Sequence, residues 1–180
     1  EIASDVLAPA ATQNDMAGRF SDEAIKSLGD AGLLGLMLPV DVGGAGLGPR
    51  TFAAVTSVIA EADASVAMVY VMHILGTSAV AAARPSAAQA LAPVLQEIAA
   101  GRHLSTLAFS EAGSRSHFWA PVSRSVRNGD GVHISAKKSW VTSAGHAQSY
   151  VVSSLSPEGT GPTDSTLYLV AAGTSGLSVS

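Results

Sequence analysis

The sequence predicts an α+β fold: an N-terminal all-helical domain followed by an antiparallel β-barrel-like domain. Three observations lead there. Apolar residues recur at helical spacing through the first hundred positions. Beyond Arg102 the pattern changes to short β-prone runs separated by turn residues. Asn128-Gly129-Asp130-Gly131 is a strong hairpin signal. Helices first and strands second point to segregated parts, so we divide the chain into residues 1–102, helical, and residues 103–180, part of a β domain. With 47% hydrophobic and 13% charged residues, the chain has the material for a sizeable core and too few charges for disorder.

Residues 1–16 form a helix around Ile2, Val6 and Leu7, disturbed by Pro9. Ser21 is an N-cap candidate, with Asp22 and Glu23 in the first turn where the helix dipole favours acids. Ala24, Ile25, Leu28 and Ala31 make the apolar face of that helix, and Leu33–Pro39 is extended or irregular. Gly43, Gly44, Gly46 and Gly48 follow. Their spacing misses the dinucleotide fingerprint, because the last required glycine falls on Pro49, and no Lys-Ser/Thr follows for a P-loop. The segment therefore reads as a turn between helices. Thr51–Ala62 reads as a helix with Phe52, Val55, Val58 and Ile59 inward, and Asp63 caps a long apolar helix that Pro85 ends. Ser86-Ala87-Ala88-Gln89 has the capping-box pattern, and Gly101 closes the fifth helix. Strands are expected at Leu104–Phe109, Phe118–Arg127, Val132–Ala136, Tyr150–Leu155 and Thr166–Ala172, with another starting at Leu177–Val179.

Several functions are disfavoured. A net charge of −4 leaves no basic footprint for nucleic acid. No cysteine is present, so neither disulfides nor thiolate chemistry are expected. A cytoplasmic setting fits, and the acidic start Glu1–Asp5 is no signal peptide. The uncharged run from Ala64 to Ala83 has the length of a membrane span, but its Ser, Thr, His and Gly content reads better as the central helix of a bundle, and no membrane partner is expected. The five histidines lack metal-ligand spacing, so no metal is expected, and His73 reads as a satisfied core histidine. No Gly-Xaa-Ser-Xaa-Gly elbow occurs. Lys137-Lys138 reads as a solvated turn.

Two segments carry chemistry. Ser110-Glu111-Ala112-Gly113-Ser114-Arg115-Ser116-His117 lies between strands. Its hydroxyls, free backbone N–H groups and Gly113 suit an anionic phosphate or the carbonyl edge of a ring, and equally an ordinary polar turn. Trp140-Val141-Thr142, read as a strand, would put a flat aromatic face and a hydroxyl on one side. That suits a stacked aromatic ligand, or a core Trp beside a surface Thr.

Taken together these segments resemble the acyl-CoA dehydrogenases. Glu111-Ala112-Gly113-Ser114-Arg115-Ser116 stands for the family's Thr-Glu-Pro-Gly-Ala-Gly-Ser-Asp motif, and Lys137-Lys138-Ser139-Trp140-Val141-Thr142-Ser143-Ala144-Gly145 for its Lys-Trp-Ile-Thr-Asn-Gly motif. Leu38–Gly46 and Glu61–Ala67 look like two further family landmarks, in the right order. The resemblance implies a helical domain, a middle β-barrel domain and a C-terminal four-helix domain missing from this chain. It implies non-covalently bound FAD, a homotetramer or other homo-oligomer, and α,β-dehydrogenation of an acyl thioester such as an acyl-CoA, with hydride transfer to flavin N5. It also implies an electron-transfer partner.

By the same resemblance Leu107, Phe109 and Ser110 line the flavin's pyrimidine edge, with Gly113 in the motif turn. Ser116 contacts the FAD diphosphate or the CoA arm. Trp140 packs on the isoalloxazine, with Val141 beside it, and Thr142 bonds near N5. No catalytic residue is assigned, because the family's base, a Glu of the C-terminal domain, has no counterpart here. Ala112, Arg115 and His117 replace the family's Pro, second Gly and Asp. Arg115 stands where it can pair with a substrate phosphate or block the usual acyl-CoA path. That motivates an alternative, a flavin-dependent monooxygenase of the same fold, taking reduced FAD or FMN from a flavin reductase. A third reading is an inactive, truncated homologue that acts as a binding subunit.

Overall fold

A computed structural model of the chain describes residues 1–115 and 117–180. A π-helical turn, Ala3–Leu7, runs into α1 (Ala8–Ala17) and accommodates Pro9, whose nitrogen has no proton to donate. α2 spans Asp22–Asp30, α3 Pro49–Ala62, α4 Ala64–Ala81 and α5 Pro85–Ala99. Ser21 precedes α2 as expected but makes no cap bond; its hydroxyl accepts from Asn14 Nδ2 at 3.1 Å. α5 starts one residue before the capping box expected at Ser86: Pro85 occupies its first turn, where the preset φ and missing N–H cost nothing. Pro93 lies inside this helix.

Asp63 ends α3 and caps α4, its carboxylate accepting the Val66 N–H at 2.9 Å. Asp63→Ala should cost about 1 kcal/mol and lower the melting temperature by about 3 °C. Differential scanning calorimetry checks this, and an unchanged Tm would show that the cap is dispensable.

The glycine loop is a closed turn. The N–H groups of Gly44, Ala45, Gly46 and Leu47 donate to the carbonyls of Pro39, Gly35, Leu38 and Leu36. Those donors are spent on the chain and are not free for a phosphate. Gly44 is forced, since a Cβ there would stand 2.2 Å from the Leu38 carbonyl oxygen.

α4 organises the helical part. By length and composition it could cross a membrane. Here Val66, Tyr70, His73, Ile74 and Thr77 are buried by neighbouring elements of the chain. Tyr70 and Ile74 join Leu7, Leu28, Leu34 and Ile59 in one core cluster, which continues into the sheet through Leu104, Ala108 and Tyr150. A second cluster gathers Leu38, Val80, Leu95, Ile98 and Val151.

His73 is the polar tie between the two parts. Its Nδ1 accepts the Ser105 N–H at 3.0 Å, which makes Nε2 the protonated nitrogen, donating to Leu34 O at 3.0 Å. The ring is fully buried and satisfied, as its place on an apolar helix predicted. Burial pushes its pKa down to about 4, against the smaller opposing effect of its backbone partners.

The strands are β1 (Ser105–Ala108), β2 (Ser125–Asn128), β3 (Gly131–Ile134), β4 (Ser149–Leu155) and β5 (Ser165–Ala171). A helical region followed by a sheet region is the expected α+β arrangement. β2 and β3 form the hairpin at Asn128–Gly131, with Gly129 at φ +57°. β4 pairs antiparallel with β5 but parallel with β1. The parallel pairing is possible because the whole hairpin and both motif segments lie in the connection from β1 to β4. The strand expected over Phe118–Arg127 is confined to its last residues. Val122 and Ser123 donate their N–H groups to the Glu111 carboxylate instead of a ladder. No strand forms at Leu177–Val179.

Candidate functional site

The two motif segments, far apart in sequence, lie side by side. Ser139 N–H donates to Ser110 O at 2.9 Å, and Glu111 and Lys138 form an isolated antiparallel bridge. Thr106 Oγ1 donates to Thr142 O at 2.7 Å. One continuous surface therefore carries Ser110, Gly113 and Trp140, all exposed, with Thr142 half-buried beside them.

The local backbone differs from a strand. Residues 142–146 turn, and Trp140 and Ser143 have φ of +57° and +61°, a left-handed conformation that non-glycine residues seldom adopt. The expected alternation of Trp140 and Thr142 on one strand face is thus absent. The turn instead throws the indole outward, leaving Trp140 94% exposed. A bare, backbone-strained tryptophan is costly unless something covers it.

Leu107 and Phe109 pack against the second core cluster, so this edge offers a ligand backbone rather than those side chains. Val141 packs on the first cluster. Among the described residues the hydroxyls of Ser110 and Thr142 have no hydrogen-bond partner in the chain, which leaves both available. Arg115 is exposed, at φ +51°. Gly113, at φ +94°, turns the loop as expected. His117 stacks on Trp119 at 5.0 Å. Ser116 lies outside the described residues.

A buried ion pair that was read from sequence as a solvated turn underlies this surface. Lys138 Nζ stands 2.9 Å from Glu111 Oε1, with side-chain exposures of 10% and 4%. The ammonium also donates to Ser153 O at 2.6 Å and Phe109 O at 3.3 Å. Burial raises the Glu111 pKa, but the bonds it accepts from Ser123, Lys138 and Val122 outweigh this and hold it below the usual carboxylate range. For Lys138, burial outweighs its carboxylate partner and lowers the pKa. No local pattern in the sequence signals this pair, because its members lie 27 residues apart.

A cleft of about 430 Å³ lies on another side of the same turn. It is lined by Asn14, Arg19, Asp63, Val141, Ser143 and His146, among others. Of the ligand-facing positions expected from sequence, only Val141 borders it; Trp140, Thr142 and Ser110 do not. Ser143 Oγ, buried without a partner, also borders this cleft.

An α+β chain with helices ahead of a mixed sheet, and a hydroxyl-and-indole surface at their junction, defines a class that comparison with known proteins identifies. The profile of the acyl-CoA dehydrogenase N-terminal domain matches residues 1–102. The chain belongs to the acyl-CoA dehydrogenase family. It is 26% identical over 152 residues to a 3-sulfinopropanoyl-CoA desulfinase of Advenella mimigardefordensis, covering 84% of this chain and 37% of the relative. It is 25% identical over 156 residues to a probable acyl-CoA dehydrogenase of Bacillus subtilis, covering 86% and 40%. A structure of PigA with FAD and proline has the same fold, with a TM-score of 0.86 at 18% identity, covering 99% of this chain and 47% of that one. The chain thus spans less than half the length of these relatives.

Proposed function

We propose that the chain forms the flavin-facing half of an FAD-dependent oxidoreductase, and that the complete protein carries out α,β-dehydrogenation of an acyl thioester. The observation that carries this is the pairing of residues 106–111 with 138–142, which presents a bare Trp140 beside uncommitted Ser110 and Thr142 hydroxyls. These residues fit a flavin: the indole would offer a flat face to a tricycle, and the two hydroxyls would be available to its heteroatom edge. FAD when bound supplies a two-electron acceptor, taking hydride from carbon.

Trp140 would hold the ring by its face. Ser110 and Thr142 orient its edge, and donors there stabilise negative charge on reduction. Gly113, at φ +94°, would allow close backbone approach to the phosphate tail, and by the family resemblance Ser116 would contact the diphosphate or the CoA arm. Covering this surface excludes water, which strengthens each of these interactions. The structure of PigA with FAD and proline, which shares the fold, supports the cofactor assignment. On this reading residues 1–102 are a helical domain, residues 103–180 begin the β domain, and the protein works as a homo-oligomer with an electron-transfer partner.

A second reading, a flavin-dependent oxygenase, is favoured by Arg115. Its long cation stands at φ +51°, where the family motif that this segment resembles has glycine. One experiment separates the two. The full-length holoprotein is mixed anaerobically with a panel of acyl-CoA thioesters. Bleaching of the flavin absorbance by one of them is the expected result. No bleaching, together with oxygen uptake driven by a flavin reductase and NADH, would favour the oxygenase instead.

A further inference from the structure

Trp140 is 94% exposed, so packing does not hold it in place. Ser110 is exposed too, at the start of an irregular loop. Neither residue lies in a regular strand, and a backbone bond, from Ser139 N–H to Ser110 O at 2.9 Å, joins their segments. One buried device lies between them. Glu111 is the neighbour of Ser110, and Lys138 precedes Trp140 by two residues. Their ion pair at 2.9 Å coincides with the bridge that joins the two segments.

The pair gathers more of the chain than these two segments. Glu111 Oε2 accepts the N–H groups of Val122 and Ser123, anchoring the loop that leads to β2. Lys138 Nζ donates to Ser153 O and Oγ on β4 and to Phe109 O past β1. Both side chains are nearly excluded from water, where a charge pair is poorly screened and its geometry tightly set.

We propose that Glu111 and Lys138 are positioning residues for the flavin ring: their ion pair sets where the Ser110 hydroxyl stands relative to the Trp140 indole. Buried beneath the surface, neither would touch the ring. The proposal rests on the flavin reading above, and its test distinguishes the two. The left-handed backbone at Trp140 follows directly from Lys138 and Ser139, both tied down, so a shift at Lys138 turns the indole. A loss of the pair would therefore reach the ring through Trp140 and Ser110, while the core cluster around Tyr70 and Ile74, which includes neither Glu111 nor Lys138, stays in place.

The test uses full-length apoprotein titrated with FAD by isothermal calorimetry, with the visible spectrum of bound flavin as a second readout. The variants are Glu111→Gln, Lys138→Met and their combination. Arg102→Met, which breaks the exposed Arg102–Glu97 pair, is the control. Each single change at the buried pair should raise the Kd for FAD by about tenfold or more. It should also move the flavin spectrum towards that of free FAD. The combination should be no worse than the weaker-binding single variant, because both act on one contact. The control should leave Kd and spectrum unchanged.

Variants that lose thermal stability yet bind FAD with unaltered Kd and spectrum would overturn the positioning role and leave the flavin reading standing. Wild-type protein that binds no FAD would overturn both. If Lys138→Met does not accumulate, Glu111→Gln decides alone, because its amide oxygen still accepts from Val122 and Ser123.

Discussion

His73→Leu should destabilise the protein by about 2–5 kcal/mol, from two buried backbone groups left unpaired. Leucine fills a similar volume but can neither accept the Ser105 N–H nor donate to Leu34 O. Those partners belong to different parts of the chain, so the loss falls on the docking of the sheet onto α4. His73→Gln should recover part of it, because an amide offers both an acceptor and a donor. Urea unfolding of the three proteins measures this directly, and equal stabilities for His73→Leu and wild type would contradict the assignment.

The same residue predicts a pH dependence. Its folded pKa, about 4, lies below the ordinary histidine value of 6.5. Between these values the unfolded chain binds a proton that the folded chain refuses. Stability is therefore fully present above pH 6.5 and falls as the pH drops towards 4, by about 3 kcal/mol in total. In the His73→Gln variant this slope should disappear. A slope that persists there would place the titrating group elsewhere.

Lys138→Met should cost about 3–5 kcal/mol, the usual consequence of stranding one member of a buried ion pair. The Glu111 carboxylate would lose its counter-charge while keeping two backbone donors, and Ser153 O and Phe109 O would each lose a donor. Adding Glu111→Gln removes the stranded charge and should recover much of the loss, since neutral replacements of a buried pair are often well tolerated. Denaturant midpoints of the single and double variants test this. A double variant that is less stable than Lys138→Met would contradict it.

The helical part was legible because each of its signals is local. Apolar spacing marked α2, α3 and α5, an uncharged run behind the Asp63 cap marked α4, and Asn128–Gly131 announced the hairpin. What escaped was set by tertiary contact. Trp140-Val141-Thr142 has strand-like side chains, yet its backbone turns left-handed at Trp140 and Ser143. The parallel pairing of β1 with β4 depends on a long connection that local patterns do not describe. Lys138 looked solvated because its carboxylate partner is distant in sequence. At the candidate site, residue types suggested a flat ligand, and the proximity of the two segments came only from the family resemblance. The structure adds the contacts that hold them together, and places Leu107 and Phe109 in the core.

The central claim is that this surface holds a flavin by the face of Trp140. Titration of the full-length apoprotein with FAD, wild type against Trp140→Ala, tests it most directly. The account predicts saturable binding by the wild type and a Kd raised about tenfold or more by the substitution, as for a buried aromatic anchor. FAD affinity that is absent in the wild type, or unchanged in Trp140→Ala, would contradict it.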